Sequence, residues 1–182
     1  MVIKTERLIL RKWTMDDAKI MYLYCKDPDV GPIAGWPPHK SIEESKLIIS
    51  HFLDHHPYCY AICKKDDINN PIGCIELKQN SDLATKEDEA EIGYWLGKPH
   101  WGNGYMPEAG KALIDYGFTK LGFNFIWGGY YEGNYKSMRV QEKLGFSFHH
   151  KSENIKCSGL DEYRVGYVNL LTKEAWVNKN NQ

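Results

Sequence analysis

A glycine turn between two regular segments is the first place in this chain where residue types and spacing suggest chemistry. An apolar, aromatic run over residues 89–96 is typical of a buried strand. Gly102-x-Gly104 follows it and precedes Pro107 and Glu108, which open a helical pattern. This order leaves backbone N–H groups at the positive end of a helix dipole, where a pyrophosphate binds well. A tight turn that only packs a helix against a strand needs the same glycines, so the turn alone leaves both interpretations open.

Two motifs and the start of the chain place this turn in a wider context. Residues 94–109 read Tyr-Trp-Leu-Gly-x-x-x-Trp-Gly-x-Gly-Tyr-Met-x-Glu-Ala, and residues 134–146 read Asn-x-x-Ser-x-Arg-Val-x-Glu-Lys-Leu-Gly-Phe. The chain opens with Thr-Glu-Arg-Leu-Ile-Leu-Arg at residues 5–11. Together these segments resemble the GNAT superfamily of N-acetyltransferases, and more narrowly its RimJ/RimL branch, the ribosomal-protein-alanine acetyltransferases. The resemblance spans nearly the whole chain.

The resemblance implies acetyl-CoA as the cosubstrate and an amine as the acceptor. In this family the central strand splays away from its neighbour and its free backbone edge pairs with the pantetheine amides, which assigns backbone contacts to Trp95 and Leu96. The second motif adds Asn134 and Lys143 to the cofactor contacts. Many superfamily members have Arg or Gln before the first glycine, but tryptophan there is usual for this branch. The remaining expected contacts belong to the turn, whose backbone N–H groups would bind the phosphates: Trp101, Gly102, Asn103, Gly104, Tyr105 and Met106.

Acetyl transfer from a thioester to an amine needs a neutral amine, a stabilised oxyanion and a proton for the departing thiolate. Many superfamily members protonate the thiolate with a tyrosine three residues before the leucine of Leu-Gly-Phe, where this chain has Gln141. Glutamine is no acid, and the branch suggests Ser137 as the catalytic substitute. The competing interpretation is that Ser137 only supports a helix cap at Asn134. In that case Tyr130 and Tyr131 are the next candidates for the acid.

Glu91 matches a superfamily position where a strand glutamate removes the amine proton, directly or through water. Strand alternation places Glu91 and Trp95 on one face of the strand and Tyr94 on the other. A structural carboxylate paired with a lysine or arginine is the competing interpretation. The rival bases are four further carboxylates: Glu76, Asp88, Glu89 and Glu153.

Composition limits the function classes. The net charge of −1 gives no basic footprint for DNA or RNA. No apolar stretch approaches membrane-spanning length and no signal-peptide pattern opens the chain, so we expect a cytoplasmic protein without a membrane partner. The five cysteines show no paired zinc spacing, which predicts free thiols, several of them buried. His51 and His55 share a helix face without an apparent third ligand, so no metal is expected.

The element pattern predicts a single domain over residues 1–182 with one core. The order β-α-α-β-β-β-α-β-α-β-β is typical of an α/β or α+β fold. The resemblance implies a GNAT-like mixed, mostly antiparallel sheet that is flanked by helices and splayed between its two central strands. The predicted strands span residues 8–13, 58–64, 71–77, 89–96, 125–131, 146–151 and 163–170. Predicted helices follow Thr14, Ser41, Gly104 and Asn134, with a hairpin turn over 66–70 and a polar tail over 178–182.

Two functions from different classes fit these observations. The first is an N-acetyltransferase that acts on a primary amine, either a peptide or protein N-terminus or a small amine. The second is an acyl-CoA sensor without turnover, which the missing tyrosine keeps open. The loop over residues 30–39, with Trp36, is either an ordered surface loop or part of the acceptor pocket. Asp82, Glu87 and Asp88 favour a cationic acceptor, and both a monomer and a homodimer fit the sequence.

Overall fold

The chain forms an eight-stranded sheet with helices on both faces. The structure is a computed structural model and describes residues 2–157 and 159–180. The strands are β1 Ile3–Lys4, β2 Leu8–Arg11, β3 Cys59–Lys64, β4 Asp67–Lys78, β5 Glu89–Leu96, β6 Phe125–Tyr131, β7 Ser147–Cys157 and β8 Glu162–Thr172. The helices are α1 Ala18–Cys25, α2 Ile42–His55, α3 Tyr105–Tyr116, α4 Tyr135–Leu144 and α5 Lys173–Asn180. Over the described ranges, none of the helices has the length and apolar content needed to cross a bilayer.

The sheet opens in its middle, between β5 and β6. Its strand order is β1-β2-β3-β4-β5-β6-β8-β7, and β5 with β6 is the parallel pair. These two strands pair only over Glu89–Glu91. Beyond that point β5 continues to pair with β4 as far as Leu96, and β6 continues to pair with β8 as far as Tyr131. The predicted splayed, mixed sheet is therefore confirmed, and the wedge between the diverging strands is called the gap below.

Apolar side chains fill both faces of the sheet. One cluster lies under α3, α4 and α5 and includes Leu113 and Ile126. The other lies under α1 and α2 and includes Trp13 and Ile49. All five cysteines are free and buried, and four of them belong to the second cluster, as their prediction as small hydrophobes requires.

Helix ends follow the local sequence signals. The Ser41 hydroxyl accepts a hydrogen bond from the N–H of Glu44 at 3.1 Å at the start of α2. The Asn134 side chain accepts one from the N–H of Ser137 at 3.2 Å at the start of α4. Gly145 ends α4 in the left-handed region with φ 94°. These caps fix where α2 begins and where α4 begins and ends.

The predicted turn over residues 66–70 is wrong, because β4 begins at Asp67. Its pairing with β3 shifts register on both sides of Pro71, and such an irregularity lets proline sit inside a strand. The helix expected after Thr14 begins as a short 3-10 turn over Met15–Asp17, and α1 starts only at Ala18.

Helix α5 has no counterpart in the sequence interpretation. The polar tail predicted over residues 178–182 overlaps the last residues of α5. Positions 181 and 182 of that tail lie outside the described residues. The segment lacks a continuous apolar stripe, so periodicity gives no signal. Trp176 packs it against the core: this side chain is 5% exposed, and its ring centre lies 6.2 Å from that of Phe118.

Candidate active site

The turn between β5 and α3 has the backbone that its glycines predict. Gly102 and Gly104 have φ values of 78° and 75°, in the left-handed region that strains any residue with a Cβ. Both are exposed, and Gly104 immediately precedes α3. The first N–H groups of a helix have no intrahelical partners, so this exposed turn offers donors to an anion.

Arg7 and Glu108 hold this turn from behind. The Arg7 guanidinium donates to the C=O of Asn103 at 3.0 Å and to the Glu108 carboxylate at 2.7 Å, and it lies 4.7 Å from the centre of the Tyr105 ring. Glu108 also accepts from the Thr5 hydroxyl. Burial raises the pKa of Glu108, but the hydrogen bonds from Thr5 and Arg7 outweigh it and leave the pKa below its ordinary 4.5. The turn is thus rigid on one side and open on the other.

The segment that joins β5 to the turn is locked by Trp101. Its indole N–H donates to the C=O of Leu96 at 2.7 Å, and Lys136 Nζ lies 3.5 Å from the centre of its ring. Arg139 and Lys143 follow Lys136 at helical spacing, and all three line the same cavity. This side of α4 is therefore positively charged, which suits a phosphate-bearing ligand.

The register of β5 decides which of its backbone groups face the gap. Gly97 donates its N–H to the C=O of Ile72 in β4 at 2.9 Å. Residues of an antiparallel strand alternate between bonding to that neighbour and facing away from it. Trp95, two residues before Gly97, therefore directs its backbone at β4, whereas Tyr94 and Leu96 direct theirs into the gap. Of the two expected backbone contacts, Leu96 faces the gap and Trp95 does not, and Tyr94 occupies the second position.

A cavity of 2040 Å³ runs along the gap. Ligand pockets usually measure about 300–1,000 Å³, so this one has room for an extended ligand and a second substrate. Of the expected site residues, Asn103 does not line this cavity. Its side-chain amide donates instead to the C=O groups of His100 and Trp101. The expected residues that line the cavity are Glu91, Trp95, Leu96, Trp101, Gly102, Gly104, Tyr105, Met106, Asn134, Ser137 and Lys143.

Ser137 lies on the α4 side of the gap, beside a tyrosine. Its Oγ is 2.9 Å from the Tyr94 hydroxyl and 3.5 Å from the side-chain nitrogen of Gln141. That nitrogen also donates to the C=O of Gly129 at 3.3 Å, and the Gln141 oxygen accepts from Asn169 at 2.8 Å. Burial raises the pKa of Tyr94, and the hydrogen bonds with Ser137 and Gln141 oppose that rise. Gln141, in the position of the missing tyrosine, thus contacts the candidate acid.

Glu91 lies on the opposite side of β5, facing α1 and α2. Burial raises the pKa of Glu91, and a hydrogen bond with Ser81 opposes the rise. A second carboxylate lies nearby: a Cβ added to Gly93 would meet Glu76 Oε1 at 3.2 Å. Glu76 Oε2 lies 2.7 Å from Nδ1 of His56. Both carboxylates line the cavity, so both are placed to accept a proton from an amine.

The other rival carboxylates have partners away from the cavity. Glu89 is 4% exposed and accepts from the N–H of Thr85 at 3.1 Å, as a structural carboxylate does. Asp88 accepts from the Asn124 amide at 3.0 Å. Glu153 forms an exposed ion pair on β7. The candidate bases on the cavity wall are therefore Glu91 and Glu76.

Aromatic rings cover the α1 and α2 side of the cavity. The Trp95 ring stacks on Trp13 with centres 6.1 Å apart, and Trp36 meets Trp95 edge to face at 6.5 Å. His39 lies 5.5 Å from Trp36, and Ser45 binds its Nδ1 at 2.8 Å. These rings form a rigid wall beside the two carboxylates.

The loop over residues 30–39 crosses the gap. Asn134 donates to the C=O of Ile33 at 3.4 Å, and Arg164 on β8 donates to the C=O of Pro32 at 2.6 Å. The loop therefore connects the α1 side of the molecule with the β6 to β8 half of the sheet. It is a wall of the cavity, and the Asn134 side chain is used both for this tie and for the α4 cap.

The histidines near α2 lie close together without forming a metal site. The ring centres of His51 and His55 are 4.8 Å apart, and His51 Nε2 lies 3.3 Å from His56 Nε2. In the part of the chain that the structure describes, no group of three or more His, Cys, Asp or Glu side chains is arranged to hold a metal ion.

Comparison with known proteins adds a family to this geometry. The profile described as acetyltransferase (GNAT) domain matches residues 7–147. The chain belongs to this GNAT acetyltransferase family. Its GNAT domain is 31% identical over 148 residues to p20, an uncharacterized N-acetyltransferase from Bacillus licheniformis, with 78% of this chain and 80% of p20 covered.

Two solved structures share the fold of this GNAT domain. A GNAT-family acetyltransferase from Bacillus anthracis matches with a TM-score of 0.83 at 23% identity, covering 96% of this chain and 99% of that one. A ribosomal-protein-S5-alanine acetyltransferase from Vibrio fischeri matches with a TM-score of 0.73 at 20% identity, covering 97% and 98%. At these identities the likeness concerns the fold alone.

Three residues around the turn and the gap are absent from the residues expected from the sequence. Arg7 holds the Gly102–Gly104 turn, Lys136 covers Trp101, and Tyr94 contacts Ser137. Tyr94 stands inside the first motif, and alternation already places it on the face away from Glu91. The motif and the strand alternation could together have indicated Tyr94.

Proposed function

We propose that this GNAT domain transfers an acetyl group from acetyl-CoA to a primary amine. The observation that carries the proposal is that three features line one cavity. They are the left-handed Gly102–Gly104 turn, the backbone edge of β5 at the gap, and the Ser137 hydroxyl. Each suits one part of the same molecule: its pyrophosphate, its pantetheine arm and its thioester.

The residues present fit acetyl-CoA along its length. The N–H groups from Gly102 to Met106 would bind the pyrophosphate at the start of α3. Lys143 and its two basic neighbours on α4 would add positive charge for the remaining phosphate. The backbone of Tyr94 and the N–H of Leu96 would pair with the pantetheine amides, as an added strand does.

We expect the general acid and the general base on opposite sides of the gap. An amine that enters from the α1 and α2 side meets Glu91 and Glu76, one of which accepts its proton. The sulfur leaves on the α4 side, where Ser137 is placed to donate a proton. A thioester held in the gap lies between these groups, so each acts on its own side.

The acceptor side favours a cation with an apolar body. The Trp36 and Trp95 rings offer faces for a cation and apolar surface, and Glu76, Glu91 and Asp82 make the wall acidic. We propose a cationic primary amine, with a peptide or protein N-terminus ahead of a small amine. The resemblance to the RimJ/RimL branch and the name of the Vibrio fischeri relative support that order.

An acceptor screen tests this function. The purified protein is mixed with acetyl-CoA and with peptides that differ in their first residue, polyamines, aminoglycosides and amino acids. Mass spectrometry detects a product heavier by one acetyl group, and a thiol reagent measures released CoA. We expect a product with at least one cationic amine and a large loss of it with Ser137→Ala.

A second candidate function is an acyl-CoA sensor, which the glutamine in place of the usual tyrosine favours. The same experiment separates the two. Calorimetric binding of acetyl-CoA without any acetylated product across the panel would support the sensor and contradict the enzyme.

A further inference from the structure

A chain of buried polar groups lies behind the Ser137 hydroxyl. Asn169 contacts Gln141, Gln141 contacts Ser137, and Ser137 contacts Tyr94. Asn169 is 5% exposed and Gln141 is 1% exposed. Buried polar side chains are costly unless their hydrogen bonds are made, so Gln141 and Asn169 need these partners.

The orientation of the Gln141 amide follows from its neighbours. The C=O of Gly129 can only accept, so the nitrogen of Gln141 must face it, at 3.3 Å. The Gln141 oxygen then faces the Asn169 amide nitrogen, which donates to it at 2.8 Å. An added Cβ on Gly128 would meet the Gln141 amide at 3.0 Å, so glycine there leaves room for it. Gln141 is therefore a donor toward Ser137, never an acceptor.

Two groups can donate to the Ser137 oxygen. The Gln141 nitrogen lies 3.5 Å from it, and the Tyr94 hydroxyl lies 2.9 Å from it, where either hydroxyl of the pair can be the donor. The alternative acceptor for the Tyr94 proton, the C=O of Ser137, is farther away at 3.2 Å. A hydroxyl oxygen accepts two hydrogen bonds and donates one. With both acceptor positions filled, the hydrogen of Ser137 is directed at the remaining position, and Ser137 and Tyr94 both line the cavity.

We propose that Tyr94 supplies, through Ser137, the proton that the departing thiolate receives. This inference rests on the proposed function. As the C–S bond of the tetrahedral intermediate breaks, its electron pair goes to sulfur, and the Ser137 hydroxyl gives its proton to that sulfur. The Ser137 oxygen takes the phenolic proton of Tyr94, which leaves a phenolate. A proton from solvent restores Tyr94 after product release, and the carboxylate that took the amine proton returns it to solvent.

Acid strength explains why a tyrosine belongs behind this serine. A thiol has an ordinary pKa of about 8.5 and a phenol one of about 10; burial raises the pKa of Tyr94 above that value, while its hydrogen bonds with Ser137 and Gln141 oppose the rise. An aliphatic hydroxyl is a far weaker acid, and Ser137 acting alone would have to become an alkoxide. With Tyr94 as the source, Ser137 stays neutral. Tyr94 is thus a positioning and proton-supplying residue that acts through Ser137.

The test compares Tyr94→Phe, which removes one hydroxyl, with Tyr60→Phe. Tyr60 is a buried tyrosine on β3, 1% exposed, and it is not among the residues that line the cavity. We expect Tyr94→Phe to lower kcat by about 10²-fold, the low end for general acid catalysis, while KM for acetyl-CoA stays the same. In mixtures of H2O and D2O, kcat should curve with deuterium content for the wild type, because two protons move. It should become linear for Tyr94→Phe.

A double variant and a measurement without turnover complete the test. Tyr94→Phe should cost nothing further in a Ser137→Ala background, since Tyr94 acts only through the Ser137 hydroxyl. In protein without acetyl-CoA, NMR of labelled tyrosine should show that Ser137→Ala raises the pKa of Tyr94. A Tyr94→Phe variant as active as Tyr60→Phe, or fully additive losses in the double variant, would overturn the inference and leave the proposed function standing. A wild-type protein that acetylates no amine would overturn both.

Discussion

Replacing Gly104 by alanine tests whether the Gly102–Gly104 turn binds phosphate, with Gly122→Ala as a matched control. The two glycines have φ values of 75° and 81°, and Gly122 ends the helical segment after α3. An added Cβ would meet only Arg7 Nη2, at 3.6 Å, at the first position and nothing within 4 Å at the second. Neither change creates a clash, so both should cost only the left-handed strain of about 1–2 kcal/mol. For a chain of this length that corresponds to a fall in Tm of about 2–8 °C in both variants.

Only Gly104→Ala should also weaken the binding of acetyl-CoA. The new methyl group stands where the backbone must approach a phosphate, and a lost hydrogen bond to a charged group costs about 1.5–3 kcal/mol. The Kd for acetyl-CoA should therefore rise by about 10- to 100-fold. Isothermal titration calorimetry well below both Tm values measures it. Equal affinities in the two variants would refute the assignment of the turn to the phosphates.

Three further predictions follow from the charges at the site. Because the pKa of Glu108 is lowered below 4.5, its stabilisation is present above that value and is lost as the pH falls through the folded pKa. The Tm of the wild type should thus fall more steeply than that of Glu108→Gln on acidification, and parallel curves would contradict this. Burial raises the pKa of Glu91, so kcat should rise with pH through a pKa above 4.5. Glu91→Gln should lower kcat by about 10²–10⁴-fold. A normal kcat in this variant would move the base role to Glu76. Of the acidic residues expected at the rim, Asp82 lines the cavity, so Asp82→Asn should raise the acceptor KM while the exposed control Glu87→Gln leaves it unchanged.

Local patterns were sufficient where a segment is bounded by its own signals. The strands at 89–96 and 125–131 are apolar runs between polar or glycine-containing turns, and the structure has both with the predicted bounds. Pro71 misled the interpretation, because a proline is normally found at a strand's start and here stands inside an irregular pairing. Helix α5 depends on one buried tryptophan, which has no period to detect.

Part of the candidate site could not be predicted from the sequence, for a different reason. Motif spacing brought the turn, the gap and Ser137 together, because those residues follow one another along β5, α3 and α4. Alternation tells which face a strand side chain points to, but the neighbouring strand decides which backbone groups stay unpaired. The family resemblance assigned a backbone contact to Trp95, but the pairing of β5 with β4 leaves the backbone of Tyr94, not that of Trp95, facing the gap. The contact between Tyr94 and Ser137 joins residues 43 positions apart, and only the packing of α4 on the sheet creates it.

A crystal structure of the protein with bound CoA would show whether the cofactor lies in the gap. We expect the pyrophosphate within hydrogen-bond distance of the N–H groups from Gly102 to Met106. We also expect the pantetheine arm in the gap beside Tyr94 and Leu96, and the sulfur within hydrogen-bond reach of Ser137 Oγ. CoA bound outside the gap, or a sulfur that lies away from Ser137, would contradict this expectation.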